Sequence, residues 1–306
     1  MRDFVKRAYT VMEIRTGFAT GLPVLSGGLY GAYLKQELQV LPLLFLFISG
    51  FCFNIVANVA NEIRGYIKKE ENETTLTGHS GSEGLVRGDA TLKDALLVLA
   101  FFFVVASASG LMVVVLTKSL GILMLGLVGA VAAITYSLGP KPYIVYPVGE
   151  LVSGVLVGGV SSYVSAAIQV GSAPTEIMLY AVIPTLMTVF LMSTNNTSDY
   201  EKDKGMRTTL PHVIGFRNSI LLIIPEAILL LLAWVGLYVR GALAGWMCLL
   251  GLIVFYEYGY RRWYKGYYKI QEVYPTMGRD WGPRPLLLIY SFNTCLSLAF
   301  LSTLLF

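Results

Sequence analysis

Charge is scarce in this chain. Asp, Glu, Lys and Arg make up 14% of its 306 residues, against about 25% in an ordinary soluble domain. That shortage excludes a soluble globular protein, because long stretches carry nothing to hold them in water. Histidine is scarcer still: His79 and His212 are the only two, both fall in polar loops, and they lack metal-ligand spacing. The three cysteines, Cys52, Cys248 and Cys295, sit within apolar runs at unrelated spacings. This argues against a disulfide framework or a zinc site and in favour of buried small hydrophobes. A net charge of +4 carries no argument by itself, and no nucleic-acid partner is expected.

What fills the chain instead is apolar sequence, 55% of residues with a mean hydropathy of +0.65. Runs this long predict an all-α polytopic membrane protein. Nine spans are expected, at 16–34, 40–61, 94–116, 119–138, 148–170, 175–196, 217–238, 241–259 and 285–305. They form a single bundle over residues 1–306 with a polar cytoplasmic-side cap. The N-terminal Met1 to Arg15 is basic and mixed, and the run after it has no convincing signal cleavage site. It reads as a cytoplasmic leader lying near the membrane. With nine spans, twenty of the 23 basic residues fall on the side of the N-terminus, leaving only Lys35, Lys118 and Arg240 opposite. The N-terminus and the long loops are therefore expected in the cytoplasm of a cell-membrane protein.

Three of those loops are long or polar, and the candidate chemistry gathers there. Asn195-Asn196-Thr-Ser-Asp199-Tyr-Glu201-Lys-Asp203-Lys204-Gly205-Met-Arg207 follows directly on an apolar run. Asn195, Asp199 and Asp203 step by four, so a continuing helix puts them on one face, with Gly205 as its stop. Carboxylates stacked on a face, with Lys202, Lys204 and Arg207 just beyond, suit a divalent metal that holds a polyanion such as diphosphate. The bland alternative is a charged loop, which has no need of that spacing. An earlier span ends in Asn54, Asn58, Asn61 and Glu62 at helical spacing. Asparagines can simply join membrane helices, but three on one face followed by an acid favour a binding site.

Other segments say less alone. Lys68 to Glu73 reads as a solvated charge run. Thr77 to Gly88, with His79, has the composition of a flexible loop. Tyr136-Ser-Leu-Gly139-Pro140-Lys141 is a turn with interfacial tyrosines. Tyr256 to Tyr268 reads as an aromatic and cationic girdle at the membrane surface.

Together these segments resemble the UbiA superfamily of intramembrane prenyltransferases, which have nine transmembrane helices and Asp-rich motifs after the second and sixth. Asn195-Asn196-x-x-Asp199-x-x-x-Asp203 with Arg207-Thr-Thr-Leu is similar to the second motif. Asn58-Val-Ala-Asn61-Glu62-Ile-Arg-Gly65-Tyr66 is similar to the first, but departs from it with Glu62 and Gly65 where the family has aspartates. Gly78-His-Ser-Gly81, Tyr136-x-x-Gly139-Pro140 and Gly149-Glu150 point to the dihydroxynaphthoate branch, which serves menaquinone synthesis.

The resemblance implies Mg2+-dependent transfer of an isoprenyl group from an allylic diphosphate to an aromatic acceptor. It implies Asp199 and Asp203 as metal ligands with Asn195, and Glu62 at a second subsite with Asn58 and Asn61. Lys141, Lys204 and Arg207 become candidates for the diphosphate oxygens. Tyr136 is the candidate to donate to the diphosphate or to shield the cation. Glu70, Glu71 or Glu73 folding back would replace the carboxylate lost at Gly65. Two other readings stand beside it: prenyl transfer to a glycerol-phosphate lipid or another acceptor, and a membrane binder or transporter without the chemistry.

Overall fold

A computed structural model describes residues 2–70, 83–261 and 285–305, and among these every regular element is helical. Six helical stretches are long and apolar enough to cross a membrane: Val40–Lys68, Leu92–Thr117, Gly149–Val170, Thr175–Ser198, Phe216–Val239 and Pro285–Leu305. The other three expected spans fall on Ile14–Lys35, Leu120–Thr135 and Gly245–Phe255. Gly, Ser and Thr dilute the first; the second has only 16 residues, and the third 11 before π-helical turns at Tyr256–Tyr260 continue it. His79, Glu71, Glu73 and the girdle residues beyond Arg261 lie outside the described residues.

The contacts divide the chain into two compact units, one from Met1–Gly21 and Leu44–Tyr146, the other from Leu22–Leu43 and Pro147–Phe306. The first contains α1 (Arg2–Met12), the start of α2 (Ile14–Lys35), most of α3 (Val40–Lys68), α4 (Leu92–Thr117) and α5 (Leu120–Thr135). The expected basic leader is thus helical. Ala8 and Val11 of α1 join Ile55, Val59 and Ile63 of α3 in one buried cluster with Leu85, Ala90, Ala95 and Val98. The three- and four-residue steps are the helical spacing that puts such groups on one face. Arg7 binds Asp94 at 3.0 Å, and Asp94 also closes a capping box with Thr91 that starts α4.

The second unit contains α6 (Gly149–Ser153), a π-helical stretch (Gly154–Val160) and α7 (Ser161–Val170) as one continuous rod. Then come α8 (Thr175–Ser198), α9 (Tyr200–Asp203), α10 (Leu210–Ile214), α11 (Phe216–Leu221), α12 (Ile223–Val239), α13 (Gly245–Phe255) and α14 (Pro285–Leu305). The π-helical stretch packs closely on α8: a Cβ at Gly158 would stand 2.1 Å from the Pro184 carbonyl oxygen. Without water to drive association, membrane helices gain from such small-residue contacts. Tyr30 stacks on Tyr180 at 4.3 Å and Ser26 donates to Asn293 Oδ1 at 2.5 Å, tying α2 to α8 and α14.

Candidate active site

Each unit holds one of the polar clusters. In the second, α8 runs past its apolar part to Ser198, and Asp199 caps it before α9 begins. The Asp199 N–H donates to the Asn195 carbonyl at 2.9 Å, and the Asp203 N–H to the Asp199 carbonyl at 2.8 Å. Helical pitch therefore persists across the break, and the three residues follow one another a turn apart. Gly205, with φ +82, lies just past the end of α9 in a backbone conformation that other residues resist. Along this ladder exposure falls: Asn195 is exposed, Asp199 half-buried and Asp203 buried. Arg207 Nε stands 4.0 Å from Asp203 Oδ1, both side chains largely covered. Burial pushes the Asp203 carboxyl above the usual aspartate range, the Arg207 charge pulls it back, and Asp199 adds to the rise. Lys204 is exposed and lies 3.9 Å from Glu201.

Glu150, on α6, reaches this segment from below. Its Oε1 accepts from Asn196 Nδ2 at 2.6 Å and from the Leu210 N–H at 3.1 Å, while the residue is 2% exposed. It ties the end of α8 to the start of α10, the two ends of the segment that carries Asp199, Asp203 and Arg207.

In the first unit, Asn58 Nδ2 donates to Thr16 Oγ1 and to Asn54 Oδ1, and Asn54 Nδ2 donates to Thr20 Oγ1 at 2.9 Å. These two asparagines join α3 to α2. Asn61 Oδ1, one turn on, is buried without a hydrogen-bond partner among the described residues. Glu62 is buried, and its two carboxylate oxygens accept the N–H groups of Glu83 (2.8 Å) and Leu85 (2.9 Å). It anchors the loop that returns to α4. Glu70 does fold back, but onto Arg64, at 2.7 Å. Arg64 also donates from Nη1 to the Ser137 carbonyl at 3.4 Å, joining the end of α3 to the turn of Tyr136 and Lys141. Tyr136 packs edge-on against Tyr143 with ring centroids 5.1 Å apart, and Lys141 is exposed. Asn58, Asn61, Glu62, Tyr136 and Lys141 thus belong to one unit, and Asn195, Asp199, Asp203, Lys204 and Arg207 to the other.

The model of the UbiA prenyltransferase family matches residues 16–273. The chain belongs to this family. It is 28% identical over 240 residues to 1,4-dihydroxy-2-naphthoate octaprenyltransferase of Bacillus subtilis (strain 168), covering 77% of this chain and 75% of that one. It is 26% identical over 229 residues to the Escherichia coli (strain K12) protein of the same name, covering 72% and 73%. A UbiA homologue from Archaeoglobus fulgidus, solved with DMAPP and Mg2+, superposes with a TM-score of 0.68 at 13% identity, covering 97% of this chain and 99% of that one. Digeranylgeranylglyceryl phosphate synthase gives a TM-score of 0.64 at 16% identity over 99% of both chains. These last two establish the UbiA fold.

In this UbiA chain, no three His, Cys, Asp or Glu side chains among the described residues converge as a metal cluster. Asp199 and Asp203 supply two carboxylates. Mg2+ commonly takes one or two from the protein and completes its shell with substrate phosphates and water. The donor set therefore fits a Mg2+ that binds together with a diphosphate. Arg64 and Glu150 both stand inside motifs legible in the sequence, but with no role attached to either side chain. Arg64 follows Glu62 by two positions in the first motif and lies within α3. Glu150 is the one charged residue of the 148–170 run, and a carboxyl at the end of an apolar span is a signal in its own right.

Proposed function

We propose that this chain is a cell-membrane prenyltransferase, one domain over residues 1–306 with its active-site loops cytoplasmic. It moves an isoprenyl group from an allylic diphosphate to dihydroxynaphthoate in menaquinone synthesis. The observation that carries this reading is the Asn195, Asp199, Asp203 ladder with Arg207 against its buried end. The dihydroxynaphthoate octaprenyltransferases among its relatives support the acceptor. The Archaeoglobus fulgidus homologue supports the donor class and the metal, since its fold accommodates DMAPP with Mg2+.

The difficult step is heterolysis of the allylic C–O bond, whose electron pair leaves with the diphosphate. Mg2+ held by Asp199 and Asp203, with Asn195 beside them and Glu62 serving a second subsite, would neutralise charge on the leaving oxygens. Arg207 offers a fork of donors for two of those oxygens, and Asp203 holds that fork in place until they arrive. Lys204, Lys141 and Asn61 would supply further donors, while Asn58, expected among them, spends both amide hydrogens on Thr16 and Asn54 and so supports α3 against α2. Such groups speed the reaction because they bind the separating anion more tightly than the intact ester. Tyr136 presents a ring face to the allylic cation. A ring carbon of the acceptor then gives a π pair to the cation, and the ring regains aromaticity when the bonding pair returns to it with release of a proton, or of CO2 where that carbon bears the carboxylate.

The test uses purified protein with Mg2+, geranylgeranyl diphosphate and dihydroxynaphthoate. Asp199→Asn and Asp203→Asn should each lower turnover by about 100-fold or more, and wild-type rates in both would remove the metal assignment. A parallel screen with a prenylated glycerol phosphate, the acceptor class suggested by the synthase of the same fold, decides the acceptor by mass spectrometry.

A further inference from the structure

The second unit contains a cavity of about 380 Å³ that none of the metal or diphosphate residues lines. That volume lies within the range of about 300–1,000 Å³ of small-molecule pockets. Its walls come from α8, the first half of α12, the end of α13 and the π turns after it. Four aromatic rings, Phe190, Phe255, Tyr256 and Tyr260, stand in an otherwise aliphatic lining. A single carboxyl, Glu226, breaks it.

Glu226 is 8% exposed; its Oε1 accepts from Ser193 Oγ at 3.1 Å, and its Oε2 is buried with no partner among the described residues. A buried acceptor left without a donor is costly, and the terminal carboxyl torsion of glutamate is soft enough to turn an oxygen toward the cavity. A phosphate or carboxylate head would bring a bare charge into an apolar wall whose lining holds no lysine or arginine to meet it. An uncharged hydroxyl supplies the missing hydrogen. The aromatic lining favours a flat ring behind that hydroxyl. Ile224 and Ile228, also in the lining, are exposed on the flank of a candidate span, which leaves a hydrocarbon tail a way out to lipid. Ser193 precedes Asp199 by six residues, roughly 9 Å along a helix axis, so the cavity lies close below the metal ladder.

We propose that this cavity binds a prenylated phenol or naphthol, with its hydroxyl on Glu226, its ring against the four aromatic side chains and its tail toward lipid. That is the class of molecule prenyl transfer to an aromatic acceptor yields, and to this extent the proposal rests on the reading above.

The full chain in lipid nanodiscs, without Mg2+ or any diphosphate, is titrated with radiolabelled 2-geranyl-1-naphthol, with its O-methyl ether and with dioctanoylglycerol. Wild type should bind the naphthol about tenfold more tightly than the ether. Glu226→Leu should erase that preference and leave the ether unchanged. Glu226→Gln, which keeps an acceptor, should retain most of it, and Ala227→Phe, which fills the cavity, should weaken both ligands. Equal affinity for naphthol and ether in wild type, or a preference that survives Glu226→Leu, overturns the proposal. A tighter hold on dioctanoylglycerol than on the naphthol overturns it too and gives the cavity to a bilayer lipid. No turnover is read, so failure of dihydroxynaphthoate prenylation and failure of hydroxyl recognition are separate results.

Discussion

A single oxygen of Glu150 accepts two hydrogen bonds, from Asn196 and from the Leu210 N–H. Glu150→Ala strands both donors in a buried place, a loss of about 1–3 kcal/mol. The segment between them carries Asp199, Asp203 and Arg207, so the loss should appear as poorer alignment of the site. Expected is a fall in kcat of about tenfold and a higher Mg2+ requirement, with Glu150→Gln recovering much of both because its carbonyl still accepts. Unchanged kinetics in Glu150→Ala would remove the positioning role, while a drop in Tm with normal Mg2+ dependence would make the residue merely structural. The sequence hides this arrangement because Glu150 lies 46 and 60 positions from its partners. The ladder from Asn195 to Asp203 is visible by contrast, since its geometry is local and a four-residue step survives any tertiary context in which the helix continues. Asn54 and Asn58 show the opposite case: their spacing is equally local, but Thr16 and Thr20 on α2 take their amides.

At the scale of elements, the glycines of the π-helical Gly154–Val160 let α8 approach closely, at Gly158 as near as its backbone. A Cβ at Gly158 would meet the Pro184 carbonyl oxygen at 2.1 Å, and one at Gly154 would meet Val189 Cγ2 at 2.3 Å. A methyl cannot be absorbed by turning a side chain when the obstacle is a carbonyl, so the helices must part. Gly158→Ala should lower stability by about 3 kcal/mol, read as a lower Tm in detergent. Gly126→Ala in α5, where nothing lies within 4 Å, should leave Tm unchanged or raise it through better helix propensity. Equal effects of the two substitutions would mean that α8 and the π-helical stretch do not touch as described. Hydropathy finds both spans, but not that one winds as a π-helix. The run Gly154-Val-Leu-Val-Gly158-Gly159 reads in sequence as an ordinary small-residue helix.

For the whole molecule, the three basic residues left off the cytoplasmic tally all sit at helix ends. Lys35 closes α2, Lys118 is the left-handed cap of α4, and Arg240 caps α12 and pairs with Glu176 at the start of α8 at 2.7 Å. These positions leave a lysine or arginine free to extend out of the hydrocarbon, as charge at a membrane boundary must. Lys204 and Arg207, beyond the other end of α8, sit at the opposite level of the same helix. The native cysteines Cys52 and Cys248 are buried and Cys295 is half-buried, so the background for thiol labelling is low. In intact cells, Lys118→Cys and Lys35→Cys should react with a membrane-impermeant maleimide, and Lys204→Cys only after permeabilisation. The reverse pattern would turn the protein over, placing the Asp199 and Asp203 ladder outside the cell, away from any cytoplasmic supply of prenyl diphosphate. Menaquinone synthesis could not then be its role, even with the chemistry of the site intact.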